Sequence, residues 1–121
     1  MQSDGTDPTA STPAAAEGCC TPPTAIDDAV VATDVRVLDA LGNDTRYELV
    51  RRIAAARGDV CVCDLEAAVG VSQSAVSQAL SRLHAAELVT RRKDGAWRYY
   101  DTTGRADALL ATLGEVREAD E

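Results

Sequence analysis

The chain has 121 residues, of which 45% are hydrophobic and only 3% are aromatic, with no phenylalanine. This length fits one domain, or one domain with a tail, whose core must be built from closely packed Ala, Val and Leu. The formal net charge is −8 at pH 7. An acidic average of this size argues against a nucleic-acid or an anionic-membrane partner, unless the basic residues are clustered.

The composition also bears on where the protein works. No stretch approaches the roughly 18 consecutive apolar residues of a membrane span, and no basic region followed by an apolar run starts the chain. We therefore expect a cytoplasmic protein without a membrane partner, in which the four cysteines serve thiol or metal chemistry. Lys93 is the only lysine and 13 of the 20 acidic residues are Asp, a composition similar to that of proteins from high-salt cytoplasms.

Residues 1–25 are predicted to form a flexible N-terminal arm. They contain all four prolines and seven Ser or Thr residues, and no large apolar side chain follows Met1. They therefore bury too little surface to offset the entropy of ordering. Cys19 and Cys20 lie near the end of this arm, where a thiol has no packing role. Both are candidate metal ligands, and the folded domain is predicted over residues 26–119.

Apolar residues at helical spacing predict four helices in the first part of the domain. They span approximately Ile26–Leu41, Asp44–Arg57, Val62–Val69 and Gln73–Glu87. Gly42 and Gly70 can end the first and third helices, and Asn43 and Ser72 can cap the helices that follow. The third and fourth helices, joined by a tight turn that contains glycine, form the pattern of a helix-turn-helix.

After the fourth helix the periodicity changes to that of a β-hairpin. Two runs rich in strand-forming residues, Leu88–Lys93 and Ala96–Tyr100, flank Asp94-Gly95, which favours a two-residue turn between them. A last helix, Arg105–Ala119, carries four apolar residues on one face. The predicted fold is therefore mainly α with a β-hairpin wing, a winged helix-turn-helix.

The basic residues are clustered in the middle of the chain. Residues 43–100 hold nine basic and seven acidic residues, net +2, whereas residues 1–42 are net −6 and residues 101–121 are net −4. Within this locally basic region the hairpin carries four cations that are placed to contact DNA phosphates. They are Arg91, Arg92, Lys93 and Arg98.

The fourth helix has two contrasting faces. The apolar face, predicted to be buried, consists of Val76, Ala79, Leu80 and Leu83. The opposite face is rich in short hydrogen-bonding side chains and free of acids, and it consists of Gln73, Ser74, Ser77, Gln78, Ser81 and Arg82. Such a face suits the major groove, because Gln can pair bidentately with adenine and Ser reaches base edges or phosphates. We therefore predict binding to double-stranded DNA, with a protein-interaction role for the helix-turn-helix as the alternative.

Cys61 and Cys63 lie at the start of the third helix. Position 61 is where a Ser, Thr or Asp cap would stabilise the helix, so a cysteine there indicates a role other than helix stability. The partial positive charge of a helix start favours the thiolate. Residues two apart on a helix point roughly 200° apart, so both thiols can bind one ion only if the first turn opens or remains extended. An ion bound there would act on the element that positions the recognition helix.

Four segments of the chain together resemble the ArsR/SmtB family of metal-responsive winged-helix repressors. They are Leu41–Arg46, Val60–Leu65, Ser72–Leu80 and Arg92–Tyr100, and the resemblance extends from about residue 35 to residue 117. It implies a homodimer, joined through its first and last helices. It also implies that this dimer represses a promoter when metal-free and releases the DNA when loaded.

The resemblance implies roles for individual residues as well. The family's paired thiol ligands correspond to Cys61 and Cys63. Its base-reading helix corresponds to Gln73, Ser74, Ser77 and Gln78, and its wing to Arg92, Lys93 and Arg98.

Two departures from the family's patterns bear on the ion. Arsenite sensors with three thiols in one helix have a further cysteine where this chain has Glu66, so another ligand must come from elsewhere. Cadmium and lead sensors of the family take thiols from an N-terminal arm, a role open here to Cys19 and Cys20, in cis or from the other subunit. Zinc sensors carry His ligands in the last helix, whereas the only histidine of this chain is His84 in the fourth helix.

The cysteines leave two classes of inducer ion open. Trivalent arsenic and antimony take three thiolates in a pyramid, whereas cadmium and zinc accept four in a tetrahedron. Two adjacent cysteines cannot both bind one ion without strain, which favours a three-thiol site and hence As(III) or Sb(III). Cd(II), Pb(II) or Zn(II) is the alternative, and no permanent cofactor is expected.

Two other functions compete with this interpretation. A redox-sensing repressor would link Cys61 or Cys63 to an arm cysteine by oxidation. A small thiol enzyme or metal carrier is disfavoured, because the chain has no C-x-x-C motif, no catalytic histidine near a cysteine and no Gly-rich loop. We therefore predict that the protein is not an enzyme.

Overall fold

A computed structural model describes residues 24–120 as five helices and three strands. In chain order they are α1 (Asp28–Leu41), α2 (Asp44–Ala56), β1 (Val60–Cys61), α3 (Val62–Val69), α4 (Gln73–Ala85), β2 (Val89–Asp94), β3 (Trp97–Thr102) and α5 (Gly104–Ala119). The predicted arm lies outside the described residues except for its last two, so the structure is silent on Cys19 and Cys20. None of the described helices is long and apolar enough to cross a membrane.

The helices begin where local side chains satisfy the free backbone N–H groups of a first turn. The side chains of Asn43 and Ser72 each accept a hydrogen bond from the third N–H of the helix that follows, which confirms both predicted caps. Asp27 caps α1 in a similar way, so this helix starts at Asp28, two residues later than predicted. α4 ends two residues earlier than predicted, because Glu87 has a φ of 60° that no helix continues.

The strands form one antiparallel sheet in the order β1-β3-β2. β1 was not predicted, since two residues show no alternation that marks a strand. Asp94 pairs with Trp97 across β2 and β3, so the turn consists of Gly95 and Ala96 and the predicted Asp94-Gly95 turn is wrong by one residue. Gly95 has a φ of 63° and Ala96 has no positive φ. Glycine thereby takes the first central position of the turn, as in type II′ hairpins.

The core lies between α2, α4 and the sheet. The four predicted apolar residues of α4 are all buried, and they pack with Leu49, Val50 and Ile53 of α2 and with Leu88 and Val89 at the start of the hairpin. Within residues 24–120 no polar or charged residue is buried. The core therefore fixes α4 by one face and leaves its other face to solvent.

α1 and α5 contribute little to this core. Only Val37 and Ala40 of α1 and Ala106 of α5 are buried, although both helices are rich in large apolar residues. We call the exposed large apolar residues of these two helices, together with Ile26 just before α1, the α1–α5 apolar face. It consists of Ile26, Val30, Val31, Val35, Leu38, Leu113 and Val116.

Candidate thiol site and nucleic-acid interface

The structure brings the thiols of Cys61 and Cys63 together, with their Sγ atoms 2.6 Å apart. Cys61 is the last residue of β1 and has extended backbone angles, φ −69° and ψ 139°, while Cys63 lies in the first turn of α3. On a regular helix the two side chains would point roughly 200° apart. The extended backbone at Cys61 is one of the two geometries that the sequence argument allows for both thiols to bind one ion.

Cys61 also occupies the N-cap position of α3, and its side chain makes no capping hydrogen bond. Each of the other four described helices has a capping side chain that accepts a hydrogen bond from a backbone N–H. The capping residues are Asp27, Asn43, Ser72 and Thr103. The first turn of α3 lacks this stabilisation. As the sequence argument expected of a cysteine at position 61, the helix start has no side-chain cap.

Cys63 is more protonated than the helix-start argument predicts. Its pKa is raised above the usual value of a thiol, chiefly because its sulfur is hydrogen-bonded to Cys61, and further by desolvation and by the nearby negative charge of Asp64. The backbone N–H of Asp64, in the first turn of α3, lowers the pKa of Cys63 as the helix-start argument expects, but the neighbouring thiol outweighs it. An ion that binds this sulfur must therefore displace its proton.

The two thiols do not form a complete metal site by themselves. Within residues 24–120 no group of three or more His, Cys, Asp or Glu side chains is arranged to hold a metal ion. Two soft sulfur donors suit a thiophilic ion, and metal–sulfur bonds of about 2.3 Å in a tetrahedron place two thiolates about 3.8 Å apart. Cys61 and Cys63 are close enough in the fold to share one ion at such a separation, and further ligands would have to come from outside the described residues or from solvent.

The predicted reading face of α4 is exposed over its whole length. All six of its residues, Gln73, Ser74, Ser77, Gln78, Ser81 and Arg82, are accessible to solvent. Arg82 is partly engaged, because its Nη2 lies 3.5 Å from Oδ2 of Asp39 on α1, with both side chains more than half exposed. Ion pairs of this exposure are weak and easily exchanged for another anion.

A cleft of about 390 Å³ separates α3, α4 and the hairpin, and the thiol site opens into it. Its lining includes Cys63 from α3, Gln73 and Ser77 from the reading face, and Trp97 and Arg98 from β3. Trp97, the only tryptophan, is 54% exposed. Sequence reasoning did not select Trp97, although an exposed aromatic residue beside a hairpin turn was a signal available to it.

The wing cations fall into two groups. Arg91, Lys93 and Arg98 are exposed, and none of them forms an ion pair within the part of the chain that the structure describes. Arg92 is already occupied: its Nε and Nη2 donate to Oδ2 of Asp59 at 3.0 and 2.8 Å. The carboxylate of Asp59 raises the pKa of Arg92 further above its usual value.

Arg92 has two more partners in the sheet. Its guanidinium lies 4.8 Å from the centroid of the Tyr99 ring, and its Nη1 lies 3.7 Å from Oδ2 of Asp94. Asp59, in the loop between α2 and β1, was not a candidate from the sequence, because 33 residues separate it from Arg92.

Comparison with known proteins places this geometry in context. The model of the family described as bacterial regulatory protein, arsR family, matches residues 43–91. A Halobacterium salinarum protein described as arsenical resistance operon repressor ArsR2 is 64% identical over 103 residues, which cover 85% of this chain and 87% of that protein. A second protein from that organism, described as arsenical resistance operon repressor ArsR, is 52% identical over 84 residues, 69% of this chain and 65% of its own length.

Solved structures show the same architecture. NolR from Sinorhizobium fredii superposes with a TM-score of 0.69 at 30% identity, covering 79% of this chain and 96% of that one. The homodimeric winged helix-turn-helix DNA-binding domain Mb0332 from Mycobacterium bovis superposes with a TM-score of 0.67 at 27% identity, covering 75% and 83%. The predicted winged helix-turn-helix fold is therefore confirmed.

The missing cap on α3 leads to a stability prediction. A Cys61→Ser variant should be more stable than a Cys61→Ala variant by about 0.5–1 kcal/mol, because a serine hydroxyl can accept the N–H of Asp64 and alanine cannot. The free energy of unfolding from urea denaturation, measured on both variants in the same high-salt buffer, checks this. Equal stabilities would show that the start of α3 does not depend on a side-chain cap.

Proposed function

The chain belongs to the arsR family of bacterial regulatory proteins, and from this membership we propose that it represses transcription until As(III) or Sb(III) binds its cysteine thiolates. As a member of that family it is a DNA-binding regulator of transcription and not an enzyme. The proposed repressor acts in the cytoplasm on operator DNA that controls arsenical resistance. The names of the two Halobacterium salinarum relatives support this choice of operon.

The observation that carries the proposal is the position of the converged thiols. Cys61 and Cys63 meet at the junction of β1 and α3, and Cys63 opens into the cleft that also contains the start of the reading face of α4. A ligand of the two sulfurs is therefore bound against the elements that would contact DNA. In this arrangement the ion and the operator affect each other without a long transmission path.

The proposed DNA interface consists of the reading face of α4 and the free cations of the wing. Gln73, Ser74, Ser77 and Gln78 would contact base edges, while Ser81 and Arg82 at the far end of the face would contact phosphates. Arg82 would leave Asp39 for a phosphate, since their ion pair is exposed. On the wing, Lys93 and Arg98 would bind the flanking phosphates together with Arg91. Arg92 was also predicted as a wing cation, and its contact with Asp59 supports the different role that is proposed for it below.

The proposed ion site combines the thiol pair with a sulfur from the arm. Cys61 and Cys63 provide two thiolates, and Cys19 or Cys20 would provide the third that arsenic and antimony require. The absence of a third ligand group within residues 24–120 supports a contribution from the arm. If both arm cysteines bound, the site would have four thiolates and suit Cd(II), Pb(II) or Zn(II) instead.

Release of DNA would follow from what the ion does to the start of α3. An ion shared by the two sulfurs would fix their separation and orientation, and the backbone at the β1–α3 junction or the side-chain rotamers would have to adapt to it. α3 packs on α4 and on the sheet, so a shift of its first turn displaces the reading face relative to the wing. The operator then no longer meets both elements in register.

We also propose that the protein is a homodimer through the α1–α5 apolar face. α1 and α5 both line one cleft, to which they contribute Leu38 and Leu109, and seven large apolar residues on or next to these helices are exposed. Such a concentration of exposed apolar side chains marks an interface in a protein of this size. Dimerisation would place two reading helices on successive major grooves of the operator.

A first prediction concerns this interface. Leu38, which is 62% exposed, should tolerate replacement by Glu within the folded chain, but Leu38→Glu should dissociate the dimer because it places a charge in an apolar contact. Sedimentation equilibrium should show a monomer with much weaker DNA binding. Ala55→Glu, at an exposed position of α2, is the control and should remain dimeric. A dimeric Leu38→Glu protein would locate the interface elsewhere.

A second prediction tests the thiols. DNA fragments selected from a random-sequence pool by the full-length protein should be released by arsenite, and Trp97 fluorescence should change in parallel because Trp97 shares the cleft with Cys63. The Cys61→Ser and Cys63→Ser variants should still bind DNA, but arsenite should no longer release them from it. Arsenate, which thiols do not chelate, should have no effect on the wild type.

Release that persists in a Cys61→Ser/Cys63→Ser double variant would refute the proposal. Release by peroxide, reversed by a reductant without any metalloid, would favour redox sensing instead.

A third prediction distinguishes the two classes of ion by the number of protons that are released when the ion binds the thiols. The raised pKa of Cys63 keeps its thiol protonated from pH 6 to 8, so Cd(II) must expel that proton and its affinity should rise about tenfold per pH unit for each protonated thiol. As(OH)₃ binds three thiols with release of three waters and no net proton, so its affinity should stay constant over the same range. Titrations followed by Trp97 fluorescence at three pH values check both slopes. A pH-dependent arsenite affinity would contradict the three-thiol exchange.

A further inference from the structure

We propose that the Asp59–Arg92 ion pair, called the strut below, is a positioning element that transmits the state of the thiol pair to the wing. This inference rests on the function proposed above. One end of the strut, Asp59, lies in the loop before β1. The other end, Arg92, lies on β2, at the opposite edge of the sheet. Neither residue contacts the ion in this proposal, and both act through the orientation of the hairpin.

The register of the sheet places the thiol and the strut in one row. Cys61 of β1 is paired with Tyr99 of β3, and Tyr99 is paired with Arg92 of β2. Directly paired residues of antiparallel strands project on the same face of the sheet. Tyr99 is therefore the middle residue of this row, and the guanidinium of Arg92 lies 4.8 Å from its ring centroid.

The contacts of Arg92 favour a structural role over a phosphate contact. Nε and Nη2 both donate to Oδ2 of Asp59, and Nη1 faces Asp94 at 3.7 Å. A phosphate would have to displace a carboxylate that accepts two hydrogen bonds from a guanidinium stacked on the Tyr99 ring. The wing has three other cations that form no ion pair within residues 24–120, so it does not need Arg92 for phosphate binding.

The same contacts expose the strut to any change at Cys61. β1 consists of only two residues and is joined to the sheet through β3 alone. A displacement of Cys61 reaches Arg92 along two paths, through Asp59 two residues earlier in the chain and through Tyr99 directly opposite. When an ion fixes the positions of the two sulfurs, the β1–α3 junction must adjust, so the strut should loosen and the hairpin should lose its fixed angle to α4.

The test compares Asp59→Asn and Arg92→Gln with the wild type in the full-length chain. DNA affinity is measured without and with saturating arsenite, and separately with cadmium, and the ratio of the two affinities gives the coupling. Both variants should lower this ratio by roughly threefold or more. Glu48→Gln is the matched control, because Glu48 and Arg52 form an ion pair of the same 2.8 Å length and similar exposure on α2. It should keep the wild-type ratio.

The salt dependence of DNA binding distinguishes a strut from a phosphate contact. Loss of one phosphate contact lowers the slope of log affinity against log salt by about 0.9. Lys93→Gln should show this loss, whereas Asp59→Asn and Arg92→Gln should keep the wild-type slope over the salt range in which circular dichroism shows all variants folded. If one of the two strut variants does not fold, the other still decides the outcome.

Two results would overturn the inference. A wild-type coupling ratio in the folded strut variants would show that the pair transmits nothing, and a reduced salt slope in Arg92→Gln would make Arg92 a phosphate contact. Failure of the proposed function gives a different pattern, because the wild type itself would then keep its DNA affinity in the presence of both arsenite and cadmium.

Discussion

The extended backbone at Cys61 is the constraint on which the thiol site, strand β1 and the start of α3 all depend. Cys61 both ends β1 and occupies the N-cap position of α3, so its side chain points toward the sulfur of Cys63 instead of away from it. Had α3 begun one residue earlier, both sulfurs would belong to a regular turn and would diverge. The strand pairing with Tyr99 holds this geometry, and it makes a two-residue strand part of the thiol site.

The site is built at the expense of local stability. α3 is the shortest of the described helices, and it begins at a residue whose side chain gives it no capping hydrogen bond. The thiol pair also holds the proton of Cys63 more firmly, by raising its pKa, than a helix start alone would. A helix with a weakly stabilised first turn responds to a ligand more readily than a rigid one, because local opening costs less free energy there.

The charged residues and the exposed apolar residues lie in different parts of the chain. The acidic residues lie mainly in the terminal segments, so the net charge of −8 coexists with a basic region at α4 and the wing. The buried stripe of α4 fixes that helix in the core, and its opposite face stays free for a partner. α1 and α5 bury few residues within the chain and leave their large side chains available for a second copy.

The sequence by itself determined the elements and faces that depend on neighbours along the chain. Helical periodicity identified all five helices and the buried stripe of α4, and the caps at Asn43 and Ser72 follow from bonds spanning three residues. The family resemblance added the dimer and the roles of the cysteines. Only the tertiary structure decided that β1 exists, that Cys63 opens toward Trp97, and that the hairpin turns at Gly95-Ala96. It also decided the contact between Asp59 and Arg92, because the register of three strands, which no local pattern encodes, brings such distant residues together.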